Sequence, residues 1–237
     1  MATIRLQYCA EDLQEILRLH ELWTRGKGGE RADLRNADLA GVKLPDGWLS
    51  GIRLSGADLR NSCFDHAQLA EADLRDCDLS FANMAKAVLH EADMRGCILH
   101  GTNLRPAGLW KTDLRGARLV GCDATGACFA QARLDGARFE SVKLDGVCFR
   151  GHAPLGTDLR GAIFERVSME YINLRNCDLR GLDLRSVYLH DARLQGALLD
   201  GTTLPDGFRL VNGKQGLMGQ QPIPSWMQQP PPERVAR

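Results

Sequence analysis

The sequence predicts an all-β solenoid built from stacked coils, and three observations lead there. Stepping by five from Leu34 to Leu204 visits 35 positions, of which 25 are Leu, five Phe and three Met, with Ala124 and Pro154 the exceptions. Two residues before nearly all of these stands a small or β-branched residue, as at Ala32, Ala37, Val42, Ala72, Cys77, Val187 and Thr202. The 237 residues are only 6% aromatic but include 25 glycines, which favours many thin layers over a core of large rings.

A period of five excludes a helix in this region. Five steps of about 100° advance an apolar stripe by about 140° net and scatter the leucines around the axis. In an extended segment, residues two apart share a face, so the small residue and the Leu point inward while their neighbours point out. The fifth residue, frequently Gly, turns the corner. One such unit cannot bury its own Leu, so successive units must wind into coils that enclose a continuous apolar core.

The elements follow in chain order. Residues 1–30 read as a capping segment: a short strand over Thr3–Tyr8, then a helix over Glu11–Arg25 with Leu13, Ile16, Leu17, His20 and Trp23 near one face and Gly26 at its stop. Residues 31–204 carry the repeats. Residues 205–218 read as a C-terminal cap hairpin, with a strand over Phe208–Val211 and a turn at Asn212 and Gly213. Residues 219–237 hold five of the nine prolines and too little apolar content to pack alone, and are expected to be a disordered tail in which Trp226 could anchor a partner.

The segments RADLRNADL at Arg31–Leu39, ADLRDCDL at Ala72–Leu79, TDLRGARL at Thr112–Leu119 and NLRNCDLRGLDL at Asn173–Leu184 resemble the pentapeptide-repeat proteins of bacteria and phages. The resemblance covers about residues 32–204, and the preceding ELWTRGKGGERADLRNADL resembles the entry segment of many such proteins. It implies a right-handed quadrilateral β-helix with an N-terminal α-helical cap, four pentads to a coil. Thirty-five pentads then give nearly nine coils and a rod of roughly 40 Å. Asp73, Asp93 and Asp113 recur 20 residues apart with Arg75, Arg95 and Arg115 beside them, and LPDG at 44–47 returns at 204–207, eight coils on. These charges are expected to pair along and across coils. Pro154 cannot donate to a ladder, so the coil at His152–Leu155 is expected to bulge slightly, without a projecting loop.

No catalytic or metal chemistry emerges from the motifs. There is no GxGxxG, Walker A or HExxH, the six histidines are scattered, and His90 and His190, on one side but five coils apart, could not share a metal. No cofactor and no enzymatic activity are expected. Cys77, Cys97, Cys122 and Cys177 fall on inward positions and should be inert, whereas Cys128 and Cys148 point outward in adjacent coils, as two reduced thiols or a redox pair. With neither a signal peptide nor 18 consecutive apolar residues, the chain reads as a cytoplasmic protein that spans no membrane.

Two functional readings remain. The first is a non-catalytic scaffold or regulator that binds another protein. The second, implied by the resemblance, is a DNA-mimicking modulator of gyrase, a type II topoisomerase. Residues 31–204 hold 22 basic and 23 acidic residues, too balanced to replace a charge per about 1.7 Å of duplex, and direct nucleic-acid binding is not expected either. Counting coils of 20 places Trp48, Val88, Trp110, Cys128, Cys148 and Tyr188 on one side, with Tyr171 at its corner and only Arg150 and Glu170 charged among 16 outward residues. Trp110, Tyr188, Tyr171, Val88, Arg150 and Glu170 are the candidate contacts with an unidentified protein or a second copy of the chain.

Overall fold

The computed structural model describes residues 9–149, 157–213 and 216–220. The expected strand at Thr3–Tyr8, the bulge at Pro154, Arg150 and the tail with Trp226 lie outside them.

Helix α1 runs over Ala10–Thr24, with Cys9 as N-cap and Arg25 as C-cap. The chain then leaves the helix through Gly26 in the left-handed region. Leu13, Ile16 and Leu17 pack against the core. His20, expected among scattered histidines, is fully buried. Its Nδ1 accepts the Ala32 N–H at 3.2 Å, and burial pushes its pKa down.

From Ala32 onward each pentad forms one side of a coil. Leu34 N–H donates to the carbonyl of Arg53 at 2.8 Å, and Asn36 N–H to that of Ser55 at 2.9 Å; Arg53 N–H returns to Ala32 at 3.2 Å. The corner closes with Ala37 N–H on the Leu34 carbonyl at 3.2 Å. The residue two after most inward Leu residues takes a positive φ, as at Asn36 (58°), Gly41 (75°), Asp46 (56°) and Gly51 (72°). That conformation is what selects Gly, Asn and Asp there.

Pairing by 20 residues stacks four sides. Side one carries Leu34, Leu54, Leu74, Met94, Leu114 and Leu134; side two begins at Leu39, side three at Leu44 and side four at Leu49. Each side has so short an extended stretch that most pairings are single parallel bridges, such as Asp73↔Asp93↔Asp113. Only a few sides lengthen into strands: β1 (Arg118–Val120), β2 (Arg138–Glu140) and β3 (Ile163–Glu165) in one parallel sheet, and β4 (Val167–Ser168) beside β5 (Val187–Tyr188).

The inward positions make a dry core. Leu34, Leu54, Leu74, Leu114 and Leu134 are each at most 1% exposed. Polar groups at the small inward position are satisfied internally: the hydroxyls of Thr102 and Thr112 donate to the carbonyls of Leu79 and Leu89, both at 2.8 Å. Cys77 and Cys97 do the same toward Leu54 and Leu74 at 3.0 and 2.8 Å. Burial pushes the Cys122 and Cys177 thiols up to about 12, so these inward thiols stay protonated.

One coil breaks the count. Arg138 pairs with Ile163, Phe139 with Phe164 and Glu140 with Glu165, all 25 residues apart. Lys143 likewise pairs with Ser168 and Cys148 with Asn173. The Phe149 carbonyl accepts the Thr157 N–H at 3.2 Å, as the corner carbonyls of other sides accept the N–H three residues on. Thr157 therefore occupies the inward place that residue 152 would fill, and five extra residues lie between Phe149 and Thr157. The expectation of a coil without insertion is corrected. Pro154 preserves the pentad phase, so the count of five hides the added side.

Downstream of Thr157 every pentad is displaced by one side. The last described residues form an antiparallel pair, β6 (Arg209–Gly213) and β7 (Gly216–Gln220), with Val211 opposite Met218. Asn212 and Gly213, read as a turn, are ladder residues, and the hairpin extends two residues into the segment assigned to the tail.

Candidate functional site

Side four is where the sequence placed its binding residues. Its outward ladder runs Trp48↔Gln68↔Val88↔Gly108↔Cys128↔Cys148↔Asn173. From Trp48 to Cys148 the residues flanking each inward Leu or Phe are Trp, Ser, Gln, Ala, Val, His, Gly and Cys, with no Asp, Glu, Lys or Arg. After Cys148 the side turns polar, with Asn173 and then Arg193.

The cluster has a built centre. A Cβ on Gly108 would meet His90 Nε2 at 2.7 Å, so the imidazole fills the space this glycine leaves. His90 meets Trp110 edge to face at 6.0 Å, and the Lys111 ammonium lies 4.2 Å from the Trp110 ring centroid. Lys111 is also bound to Glu91 at 3.0 Å, which neutralises it. At the start of the strip Trp48 is 47% exposed, and the Arg25 guanidinium at the end of α1 sits 4.6 Å from its ring centroid.

Cys128 and Cys148 stand next to one another on this side as half-buried thiols. A hydrogen bond from the Cys148 thiol, with the nearby His90 adding to it, draws the Cys128 thiol down to about 6 against the opposing effect of burial. The sequence treated His90 as an isolated histidine. Its 20-residue offset from Trp110 and the glycine at 108 are the signals that could have placed it in this cluster.

The added pentad separates the remaining candidates. Tyr188 pairs with Ser168, itself paired with Lys143, which puts Tyr188 and Glu170 on side three and Tyr171 at its far corner. His190 moves with them, so it does not share a side with His90. Tyr188 is also only 5% exposed and stacks on His190 at 5.8 Å, so it offers no free ring to a partner. Tyr171 is 59% exposed but stands apart from Trp110 and Val88. Arg150 lies outside the described residues.

The other sides are charged and largely self-neutralising. On side one Asp33, Asp73, Asp158 and Asp178 each accept two hydrogen bonds from the Arg two residues on, for example Arg75 Nε and Nη2 at 2.7 and 2.8 Å. That guanidinium holds each carboxyl below its ordinary value. Contacts across coils add Arg75–Asp93 at 3.7 Å and Arg133–Asp113 at 3.4 Å. On side two Asp38, Asp58 and Asp78 stack, but the Asp58 carboxylate is buried and held by Arg60 at 2.6 Å.

Two open clefts dent the rod. One, of about 620 Å³, lies between β3 and the coil at Gly181–Ser186; the other, of about 460 Å³, lies between Arg133 and Asp158. The first is lined by Ile163, Phe164 and Leu182 beside the Asp183–Arg185 pair, the second by Arg133, Asp135, Asp158 and Arg160, and neither contains a Cys or a His. Among the described residues no three His, Cys, Asp or Glu side chains gather as for a metal ion. No helix among them is long and apolar enough to cross a membrane.

The chain matches the family described as Pentapeptide repeats (8 copies) over residues 32–76, 72–107, 112–151, 155–181 and 168–204. Among solved structures it is similar to HetL, a pentapeptide repeat protein involved in heterocyst differentiation regulation from the cyanobacterium Nostoc sp. The two are 30% identical over 82% of this chain and 97% of HetL, with a TM-score of 0.31. It is also similar to full-length QnrB1, a plasmid-mediated fluoroquinolone resistance protein (19% identity, 75% of this chain and 93% of that one, TM-score 0.43). Rfr23 from the cyanobacterium Cyanothece is a third (20% identity, 65% and 99%, TM-score 0.41). No curated protein sequence matches the chain. With a ladder that repeats every 20 residues and the family pattern matched along nearly all of it, this chain belongs to the pentapeptide-repeat family.

Proposed function

We propose that the protein is a non-catalytic, right-handed quadrilateral rod of the cytoplasm, closed at its N-terminal end by α1, that acts by binding another protein. The observation that carries this reading is the uncharged strip on side four from Trp48 to Cys148, on a rod whose other sides bear paired charges. Such a strip gains by leaving water, and Trp is a frequent interface anchor. Trp110 and Val88 are the central contacts, with Trp48 at one end. The filled core supports the absence of catalysis, because among the described residues it leaves no enclosed site in which reacting groups could converge.

The test is affinity capture with mass spectrometry, comparing the parent with Trp110→Glu and, as a control on side one, Arg95→Glu. A protein held by the parent and by Arg95→Glu but lost by Trp110→Glu supports the reading, and so does self-association lost in the same pattern. Equal capture by all three overturns it.

The stacked carboxylates of Asp38, Asp58 and Asp78 favour a second reading, a DNA-mimicking gyrase modulator. The Arg60 clamp on Asp58 and the paired charges of side one weigh against it, since a mimic must present uncompensated negative charge. Gyrase subunits in the capture, released by added duplex DNA, would favour it.

A further inference from the structure

We propose that Cys128 and Cys148 form a redox-active dithiol, a modification site at which a hydroperoxide joins two neighbouring coils through a disulfide. The proposal does not rest on side four binding a protein.

The ladder fixes the geometry. Phe129 N–H donates to the Cys148 carbonyl at 2.8 Å, and Cys148 N–H to the Ala127 carbonyl at 3.0 Å. Those bonds hold the two cysteines as direct parallel neighbours. Neighbouring strands lie about 4.8 Å apart, inside the roughly 4.4–6.8 Å between Cα atoms that a disulfide spans. Both side chains point outward and are partly exposed, unlike the four buried thiols. Cys63, also outward and partly exposed, has Lys43 and Asn83 as its ladder neighbours, and Cys9 caps α1.

The roles of the two thiols are unequal. Cys128 receives the hydrogen bond of Cys148, which draws its thiol down to about 6, so it is largely thiolate at neutral pH, the form that attacks. Its sulfur attacks one peroxide oxygen; the O–O bond breaks and the leaving alkoxide or hydroxide takes a proton, giving a Cys128 sulfenic acid. The Cys148 sulfur then attacks the Cys128 sulfur. The S–S bond forms, the S–O bond breaks, and the hydroxide leaves as water with the Cys148 proton. Two thiols lose two electrons and one O–O bond gains them, so a low-molecular-weight thiol in excess reverses the change.

The test treats the full chain with hydrogen peroxide, alkylates it with N-ethylmaleimide under denaturing conditions, and maps it by mass spectrometry. The expected product has two fewer alkylated thiols out of eight and is restored by dithiothreitol. Trypsin cuts after Arg118, Arg133, Lys143 and Arg150, so the linked species joins 119–133 to 144–150. Fragmentation then places the bond at Cys128 and not at Cys122, whose buried thiol shares the first peptide. In Cys148→Ser, dimedone should label Cys128. Eight alkylated thiols after peroxide, a bond through Cys122, bonds only between chains through Cys9 or Cys63, or an unlabelled Cys128 in Cys148→Ser would each overturn the proposal.

Discussion

Phe139 stacks on Phe164 inside the rod, with ring centroids 4.9 Å apart and planes 21° from parallel, although 25 residues separate them and 20 separate Leu119 from Phe139. The ladder thus passes through the longer coil without a break at side two, although the chain between these partners is five residues longer. Deleting residues 150–154 should therefore leave the fold intact, with Leu155 and Gly156 serving as the corner before Thr157. Thermal unfolding followed by circular dichroism should shift by no more than about 4 °C, the size of roughly a 1 kcal/mol change. An unfolded product would show that the extra pentad is a structural requirement.

Leu114 and Leu134 are each 1% exposed. Replacing either by Asp sets an unpaired carboxylate in an apolar stack. The expected loss is more than about 4 kcal/mol, beyond the usual range for point substitutions. A variant that melts with the parent would contradict the inward assignment.

Gly121 holds φ at 65°, and a Cβ placed there would meet nothing within 4 Å. Gly121→Ala thus isolates the backbone conformation from any clash, and should cost about 1–2 kcal/mol. Lys86, at the same kind of corner with φ 57°, should gain a comparable amount as Lys86→Gly. Denaturant unfolding reads both, and equal midpoints for all three proteins would refute the corner argument.

The side-one carboxyls of Asp33, Asp73, Asp158 and Asp178 are lowered by their Arg partners. A lowered folded pKa means a contribution fully present above the unfolded value of about 3.9 and lost as pH falls through the folded values. The melting temperature should ease below about pH 6.5, where buried His20 opposes a proton that the unfolded chain takes up, and should decline further below about pH 4 as the carboxyls protonate. These pairs are mostly solvent-exposed, so each is worth no more than about 1 kcal/mol and the decline should flatten in high salt. A melting temperature that stays level down to pH 2 would remove the pairs from the stability of the rod.

Trp110 and Tyr188 should behave oppositely. Trp110 is partly exposed on side four, so Trp110→Glu should melt within about 0.5 kcal/mol of the parent. Tyr188 is buried on side three, so Tyr188→Glu should destabilise by more than about 2 kcal/mol through a desolvated carboxylate. Similar melting of the two variants would argue against the register of 25.

Much of this molecule was legible from spacing alone. The inward assignment of Leu34, Leu114 and Cys97, the corners at Gly41 and Gly51, and the Asp–Arg pairing on side one all follow from residues within one pentad or from a strict repeat. Such features are local: a left-handed corner and an alternating inward side chain are decided by the nearest few residues. The sides below Phe149 were not legible in this way. Pro154 kept the phase of five while one pentad was added to a coil, and nothing within a pentad records which side of the rod it will form. That was settled only when Phe139 found Phe164 and Cys148 found Asn173, because a coil is closed by hydrogen bonds to the next coil rather than by its own sequence. For the same reason the meeting of His90 with Gly108 and Trp110 belongs to the tertiary structure, whereas the pairing of Cys128 with Cys148 already followed from the count of 20. Each residue is unremarkable in its own pentad, and only the stacking of coils about 4.8 Å apart makes them neighbours.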